Sequence, residues 1–126
     1  MSTERADARA AYREIETELA ELTNRAAASL ARLALRLAQL AGAAVPAASA
    51  HLTLGDTLLK QADFDQAERH LRQAVDQSAL IGGLALQADA VRNLGVLAND
   101  RDRFDEAVAF YREANGLYQQ LDDRRG

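Results

Sequence analysis

The side chains that could do chemistry in this chain are few and lie far apart in the sequence. There are two histidines, His51 and His70, and no cysteine. Neither histidine belongs to an H-E-x-x-H pattern, in which two histidines one helical turn apart bind zinc. We therefore expect His51 to be a buried core residue and His70 to lie on the outer side of its helix, and we expect no metal site.

Two acidic clusters have part of the spacing of a calcium-binding loop. The first is D-F-D at residues 63–65, and the second is D-R-D-R-F-D-E at residues 100–106. Both lack the central glycine and the final bidentate glutamate that such a loop requires. Because Asp63 and Asp102 each precede a helical segment, we expect their carboxylates to cap helices instead.

The other candidates for catalysis or cofactor binding are equally weak. Gly82 and Gly83 follow a helical segment, whereas a phosphate-binding glycine loop follows a strand. Serine, histidine and aspartate all occur, but no spacing places a nucleophile beside a base. We therefore expect a protein that is not an enzyme and that needs no cofactor.

Composition indicates a helical protein of the cytoplasm. Apolar residues make up 48% of the 126 residues and aromatic residues only 5%, and the many alanines favour closely packed helices. The absence of cysteine fits a reducing compartment. The net charge of −4 argues against nucleic acid as a partner. Residues 37–53, the longest nearly uncharged segment, are too short and too rich in alanine to cross a membrane.

The second half of the chain repeats itself. A shift by 40 residues superimposes Leu94-Gly95 on Leu54-Gly55, Phe104-Asp105 on Phe64-Asp65, Ala107 on Ala67, Arg112 on Arg72 and Ala114 on Ala74. Such a period is typical of repeat proteins, in which each unit buries its apolar face by stacking on the next. The repeat therefore indicates a scaffold.

Helical periodicity accounts for the whole second half, and no alternating strand pattern occurs. Pro46 fits the first turn of a helix, Asp63 and Asp102 are the expected caps, and Gly82-Gly83 is an expected helix end. The pattern predicts four helices, at residues 47–61, 64–81, 84–99 and 103–121.

Residues 3–41 carry one apolar stripe with steps of three and four, which is typical of an amphipathic helix. Its members are Tyr12, Ile15, Leu19, Leu22, Ala26, Leu30, Leu33, Leu37 and Leu40. The stripe predicts either one helix of about 57 Å or a hairpin that turns at Thr23-Asn24. An acidic first half and a basic second half favour the hairpin, because folding back would pair them. The same charges also suit the dipole of a single helix.

Both copies share a specific order of residues. Leu-Gly is followed by Ala twelve residues after the Gly, then by a large apolar residue and a second Ala, at 67, 71 and 74 and again at 107, 111 and 114. This order resembles the tetratricopeptide repeat. The 40-residue period and Asn93-Leu94-Gly95 are similar to its longer-helix variety, found in kinesin light chain and in adaptors with Asn-Leu-Gly repeats. The resemblance implies an all-α fold, a right-handed α-α superhelix.

We divide the chain accordingly into three segments. Residues 1–45 form an N-terminal helical segment that is a possible degenerate repeat, and the two repeats occupy residues 46–83 and 84–126. Members of this family usually bind a peptide or helix of a partner in the groove lined by the first helix of each pair. By position, the resemblance implies a groove formed by Thr53, Asp56, Lys60, Asp89, Arg92, Asn93, Val96 and Asn99.

Arg92 and Asn93 are the groove residues expected to matter most, as a charged anchor and as an amide that bonds a peptide backbone. Asp56 and Val96 stand where the family's carboxylate clamp has asparagine. We therefore do not expect recognition of a C-terminal carboxylate.

The predicted function is that of a scaffold that binds a protein or peptide partner. The alternative is a structural unit that self-associates, for example as a homodimer, or a regulatory fragment of a larger signalling protein. The sequence ends, at residues 122–126, where the first helix of a further repeat would begin. Because a repeat end without a polar capping helix exposes apolar side chains, we expect it to bind a second copy. That interface would use apolar residues of the last helix, namely Phe110, Leu117, Tyr118 and Leu121.

Overall fold

Five α-helices account for almost all of the computed structural model, which describes residues 2–125. They are α1 (Ser2–Ala41), α2 (Ala44–Lys60), α3 (Phe64–Leu80), α4 (Leu84–Asp100) and α5 (Phe104–Arg125). No strand occurs in this part of the chain. Each helix packs against the next one along the chain, so that α2 with α3 and α4 with α5 form two stacked pairs. The predicted all-α helical repeat is confirmed.

All four turns between the helices have the same backbone geometry. One residue in each turn has a φ between 59° and 70°, and these residues are 20 positions apart: Gly42, Ala62, Gly82 and Asp102. The residue after each of them donates its backbone N–H to a carbonyl five positions earlier, at 2.8–2.9 Å. This is the Schellman motif, which ends a helix by giving its last carbonyls a donor. The motif therefore sets the length of each helix.

Two of the expected helix ends are confirmed and one is wrong. Gly82 ends α3, and the Asp63 carboxylate accepts the backbone N–H of Gln66 at 3.5 Å before α3 begins. Asp102, by contrast, does not cap α5. It occupies the left-handed turn position, and Arg103 takes the place equivalent to Asp63. The turn needs a left-handed residue before the cap, and this requirement moves the cap one position further along.

A glycine in the first helix of each pair allows the second helix to approach closely. A Cβ atom at Gly55 would lie 2.5 Å from Cδ2 of Leu71, and one at Gly95 would lie 2.8 Å from Cε1 of Tyr111. Four alanines on the second helices are buried on the same faces: Ala67, Ala74, Ala107 and Ala114. Close approach therefore explains why glycine is accepted in mid-helix, where it costs about 1 kcal/mol relative to alanine.

α1 is one continuous helix, so the interpretation as a hairpin that turns at Thr23-Asn24 is wrong. Residues 3–23 are exposed on all sides. The second half packs on α2 with a face made of small residues and one leucine, namely Ala28, Ala31, Leu35 and Ala38. Within the described residues, no helix is long and apolar enough to cross a bilayer.

The apolar stripe of α1 does not belong to the core. Its eight large side chains are each 55–78% exposed. At about 100° per residue, the stripe and the face that contacts α2 are centred about 150° apart around the helix. Because α2 lies against the alanine-rich face, the stripe is left in solvent.

We expect Gly55→Ala to destabilise the protein although alanine is the better helix former. The new methyl group would overlap Leu71, which is fully buried. Such overpacking costs about 3 kcal/mol at the upper end of its range, against a gain of about 1 kcal/mol from helix propensity. Urea unfolding should therefore show a net loss of about 2 kcal/mol.

Gly116→Ala is the matched control for this substitution. Gly116 lies within α5, and no atom lies within 4 Å of a Cβ built there. The control should gain about 1 kcal/mol in free energy of unfolding. If both variants gained stability, the close contact between Gly55 and Leu71 would not exist in solution.

We expect Ala62→Gly to stabilise the protein by up to about 1 kcal/mol, because a left-handed backbone is strained for alanine and free for glycine. Ala109→Gly, at an exposed position within α5, is the control and should lose about 1 kcal/mol. The urea midpoints of the two variants should move in opposite directions. A loss of stability in both would contradict the left-handed turn at Ala62.

Candidate functional site

The first helices of the two pairs lie side by side on one face of the molecule. α2 contacts α4 as well as α1 and α3, whereas α3 and α5 do not contact each other within residues 2–125. The two helix pairs therefore meet more closely through their first helices than through their second helices. The predicted partner-binding residues all belong to these two helices. We call their surface the α2/α4 face: Thr53, Asp56, Lys60, Asp89, Arg92, Asn93, Val96 and Asn99.

The α2 part of this face uses its polar groups within its own helix. The hydroxyl of Thr53 donates to the backbone carbonyl of Ser49 at 3.1 Å. Nζ of Lys60 lies 3.2 Å from a carboxylate oxygen of Asp56, one helical turn earlier. The two charges largely cancel, so this part of the face offers little net charge to a partner.

The α4 part has polar groups without partners among residues 2–125. Arg92 is exposed, and within the described residues no carboxylate lies at ion-pair distance from it. Asn93 is only 6% exposed, yet its amide makes no hydrogen bond to another part of residues 2–125. Because every fully buried polar side-chain atom there has a partner, the Asn93 amide must reach solvent. Val96 is half-buried and Asn99 is exposed.

Asp89 is already engaged by the chain. Its carboxylate accepts a hydrogen bond from the phenol of Tyr118 on α5. Burial raises the pKa of Tyr118, and the hydrogen bond to Asp89 and the charge of Asp89 raise it further. Asp89 therefore ties α4 to α5 and is less available to a partner than Arg92.

The four residues predicted for self-association do not form one exposed surface. Leu117 is buried, and Phe110 and Tyr118 are half-buried against the cluster that joins α4 and α5. Leu121 is half-buried near the end of α5. The large apolar residues that α5 does expose are Phe104, Val108 and Tyr111. Self-association through α5 stays a prediction.

The two histidines contact each other, which their spacing in the sequence did not indicate. Nδ1 of His51 on α2 lies 3.0 Å from Nδ1 of His70 on α3, so one ring donates and the other, which must be uncharged, accepts. His51 is buried as expected, but His70 is half-buried against α2 and not on an outer surface. No third metal-ligating side chain joins them within residues 2–125. No short motif signals a pair 19 residues apart.

A second contact that the sequence did not reveal holds the two helix pairs together. Arg101, which follows α4, lies 2.6 Å from a carboxylate oxygen of Asp65 and 3.4 Å from one of Glu68, both on α3. Its guanidinium also lies 5.4 Å from the ring centroid of Phe64. The Arg101 side chain is only 19% exposed, so these contacts are partly shielded from solvent. They fix α4 against α3 and thereby the shape of the α2/α4 face.

We expect the histidine pair to make the stability depend on pH. Burial lowers the pKa of both rings. The charge of His70 lowers the pKa of His51 further. The charges of Arg32 and Arg69 lower the pKa of His70 further. The unfolded chain therefore takes up protons first, and the free energy of unfolding should fall as the pH drops below the ordinary histidine value of 6.5. Thermal unfolding at pH 7.5 and 5.5 measures this loss.

His70→Gln is the variant that isolates the contribution of the histidine pair to the pH dependence, because His51 and His70 are the only two histidines of the chain. It keeps a polar group opposite His51 but removes the repulsion between two charged rings. Its melting temperature should fall less between the two pH values than that of the parent. An equal fall in both proteins would assign the pH dependence to other groups.

A family model described as tetratricopeptide repeat matches residues 46–120, which is more than half of the sequence and includes all of α3 and α4 and most of α2 and α5. No curated protein matches the chain significantly. The matched family is one of non-enzymatic repeat scaffolds, and its repeats generally mediate protein–protein interaction. The matched segment includes the glycine contact of each helix pair, at Gly55 and at Gly95. The chain belongs to the tetratricopeptide repeat family.

Proposed function

We propose that this protein is a scaffold whose α2/α4 face binds an extended peptide segment of a partner protein. The observation that carries the proposal is the Asn93 amide, which reaches solvent at this face and makes no hydrogen bond within residues 2–125, although the residue is only 6% exposed. A partner can therefore bond this amide without displacing a hydrogen bond of the described residues. A peptide backbone offers both a donor and an acceptor, which are what a side-chain amide can pair with.

The charges of the face favour an acidic residue in that peptide. Lys60 is neutralised by Asp56 at 3.2 Å, and Asp89 accepts a hydrogen bond from Tyr118. Arg92 is exposed and lacks an ion pair among the described residues. A guanidinium binds a carboxylate with two parallel hydrogen bonds. A peptide with Asp or Glu next to the backbone bonded by Asn93 is therefore the preferred ligand.

Val96 gives the face an apolar contact beside these polar groups. It lies one helical turn after Arg92 and is half-buried, so a small apolar side chain of the peptide can cover it. Because Asp56 and Val96 replace the asparagines of a carboxylate clamp, the proposal is for an internal peptide segment and not for a free C-terminus.

Other features support a protein partner in the cytoplasm. The net charge of −4 and the absence of cysteine support a cytoplasmic protein that does not bind nucleic acid. The 40-residue period supports the longer-helix variety of the repeat, with a right-handed superhelix.

Peptide selection from a displayed random library tests the proposal. We expect the selected peptides to share an acidic residue and to bind the parent protein. Arg92→Ala should weaken their binding about 10- to 100-fold, because it removes a hydrogen bond to a charged group worth about 1.5–3 kcal/mol. Asn93→Ala should weaken all selected peptides, whatever their sequence. Fluorescence anisotropy measures both effects.

Arg112→Ala is the matched control, because Arg112 is an exposed arginine of α5, outside the α2/α4 face. It should bind the selected peptides as the parent does. Circular dichroism checks that all three variants keep their helices. Peptides that bind the Arg92 and Asn93 variants as tightly as the parent would show that the α2/α4 face is not the binding site.

A further inference from the structure

The apolar stripe of α1 carries eight of the fourteen large apolar side chains that are exposed among the described residues. It begins at Tyr12 and ends at Leu40, about 42 Å apart along the axis. Its N-terminal half belongs to residues 3–23, each of which is exposed. In proteins, most of the stability of a helix comes from the packing of its apolar face and not from helix propensity. The stripe therefore needs an occupant.

The spacing of the stripe is symmetric about Ala26. From Tyr12 to Ala26 the steps are 3, 4, 3 and 4, and from Ala26 to Leu40 they are 4, 3, 4 and 3. The eight steps cover 28 residues, a mean of 3.5, which is the period of a coiled coil. When a second copy is laid antiparallel with a twofold axis at Ala26, every large residue meets another one: Tyr12 with Leu40, Ile15 with Leu37, Leu19 with Leu33, and Leu22 with Leu30.

The charges beside the stripe favour the same arrangement. At about 100° per residue, Glu14 and Glu18 flank the stripe on the same side as Arg32 and Arg36. In an antiparallel pair, the flank of one helix that carries these residues faces the same flank of the other helix. Glu18 of one copy and Arg36 of the other are then separated by only about 3 Å measured along the helix axis. A parallel pair would instead bring Glu18 next to Glu16 of the second copy.

The area is sufficient for a stable dimer. Each of the eight large side chains leaves more than half of its surface in solvent. At about 100 Å² for each side chain, one copy offers on the order of 800 Å², the share that one partner contributes to an interface of standard size. Ala26 at the axis has a small side chain and lets the two helices approach closely.

We propose that α1 forms an antiparallel, twofold-symmetric coiled coil with α1 of a second copy of this chain. The stripe lies about 150° away from the face that packs on α2, so the dimer and the helix stack use different faces of α1. The acidic half of one α1 covers the basic half of the other. The two repeat stacks project from opposite ends of the coiled coil, each with its own α2/α4 face.

Light scattering of the 126-residue chain across a concentration series tests whether this interface exists. The parent should have the mass of a dimer. Leu19→Lys should raise the dissociation constant roughly 100-fold or more, because each dimer then buries two lysines in place of two leucines. Thr17→Lys, exposed on the opposite side of the same half-helix, adds the same charge and should leave the mass unchanged.

Cysteine cross-linking tests the orientation in the otherwise cysteine-free chain. Ala26→Cys should give a disulfide-linked dimer on mild oxidation, because the two Cβ atoms meet at the axis. Leu40→Cys should stay uncross-linked, because the two sites are about 42 Å apart in the antiparallel pair. In a parallel pair, Leu40→Cys would cross-link as readily as Ala26→Cys.

Charge reversal provides a third measurement that does not depend on folding defects. Glu18→Arg and Arg36→Glu alone should each weaken the dimer about tenfold, because each creates two repulsive contacts. The double variant E18R with R36E should restore the affinity of the parent. A parent that is monomeric at every concentration, a dimer unaffected by Leu19→Lys, or cross-linking through Leu40→Cys would each overturn the proposal.

Discussion

The structure depends on how closely the two helices of each pair can approach. Gly55 opens a space that Leu71 fills, and Gly95 opens the equivalent space for Tyr111. These contacts decide which side of α2 and α4 faces inward. Asn93 precedes Gly95 by two positions and therefore points about 200° away from it, away from the contact with Tyr111. A packing constraint in the core thus determines which polar residues can meet a partner.

The turns impose a second constraint, because a left-handed residue every 20 positions fixes the length of α2, α3 and α4, which lie between these turns. Glycine holds this position in two turns, and Ala62 and Asp102 hold it in the others. The strained positions persist because the following N–H groups satisfy the last carbonyls of the helix. With the helix lengths fixed, Arg101 meets Asp65 and Glu68 and locks the second pair onto the first.

α1 differs from the other helices because it has two apolar faces of different character. The alanine-rich face packs on α2, since small side chains allow the close approach that this stack uses throughout. The larger side chains are left outside, in a pattern whose symmetry matches a second antiparallel copy. One helix can therefore end the repeat stack on one side and connect two stacks on the other.

The sequence by itself determined the helical class, the 40-residue repeat and the helix ends at Gly82 and Asp63, because all of these depend on spacing within one or two helices. Only the tertiary structure decided which face of α1 is buried, that α1 does not fold back, that His51 meets His70, and that Asp102 is a turn residue instead of a cap. An apolar stripe indicates that a surface will be covered, but it does not indicate which element covers it. Contacts between residues 19 to 36 positions apart depend on how whole helices are placed, and no local pattern contains that information.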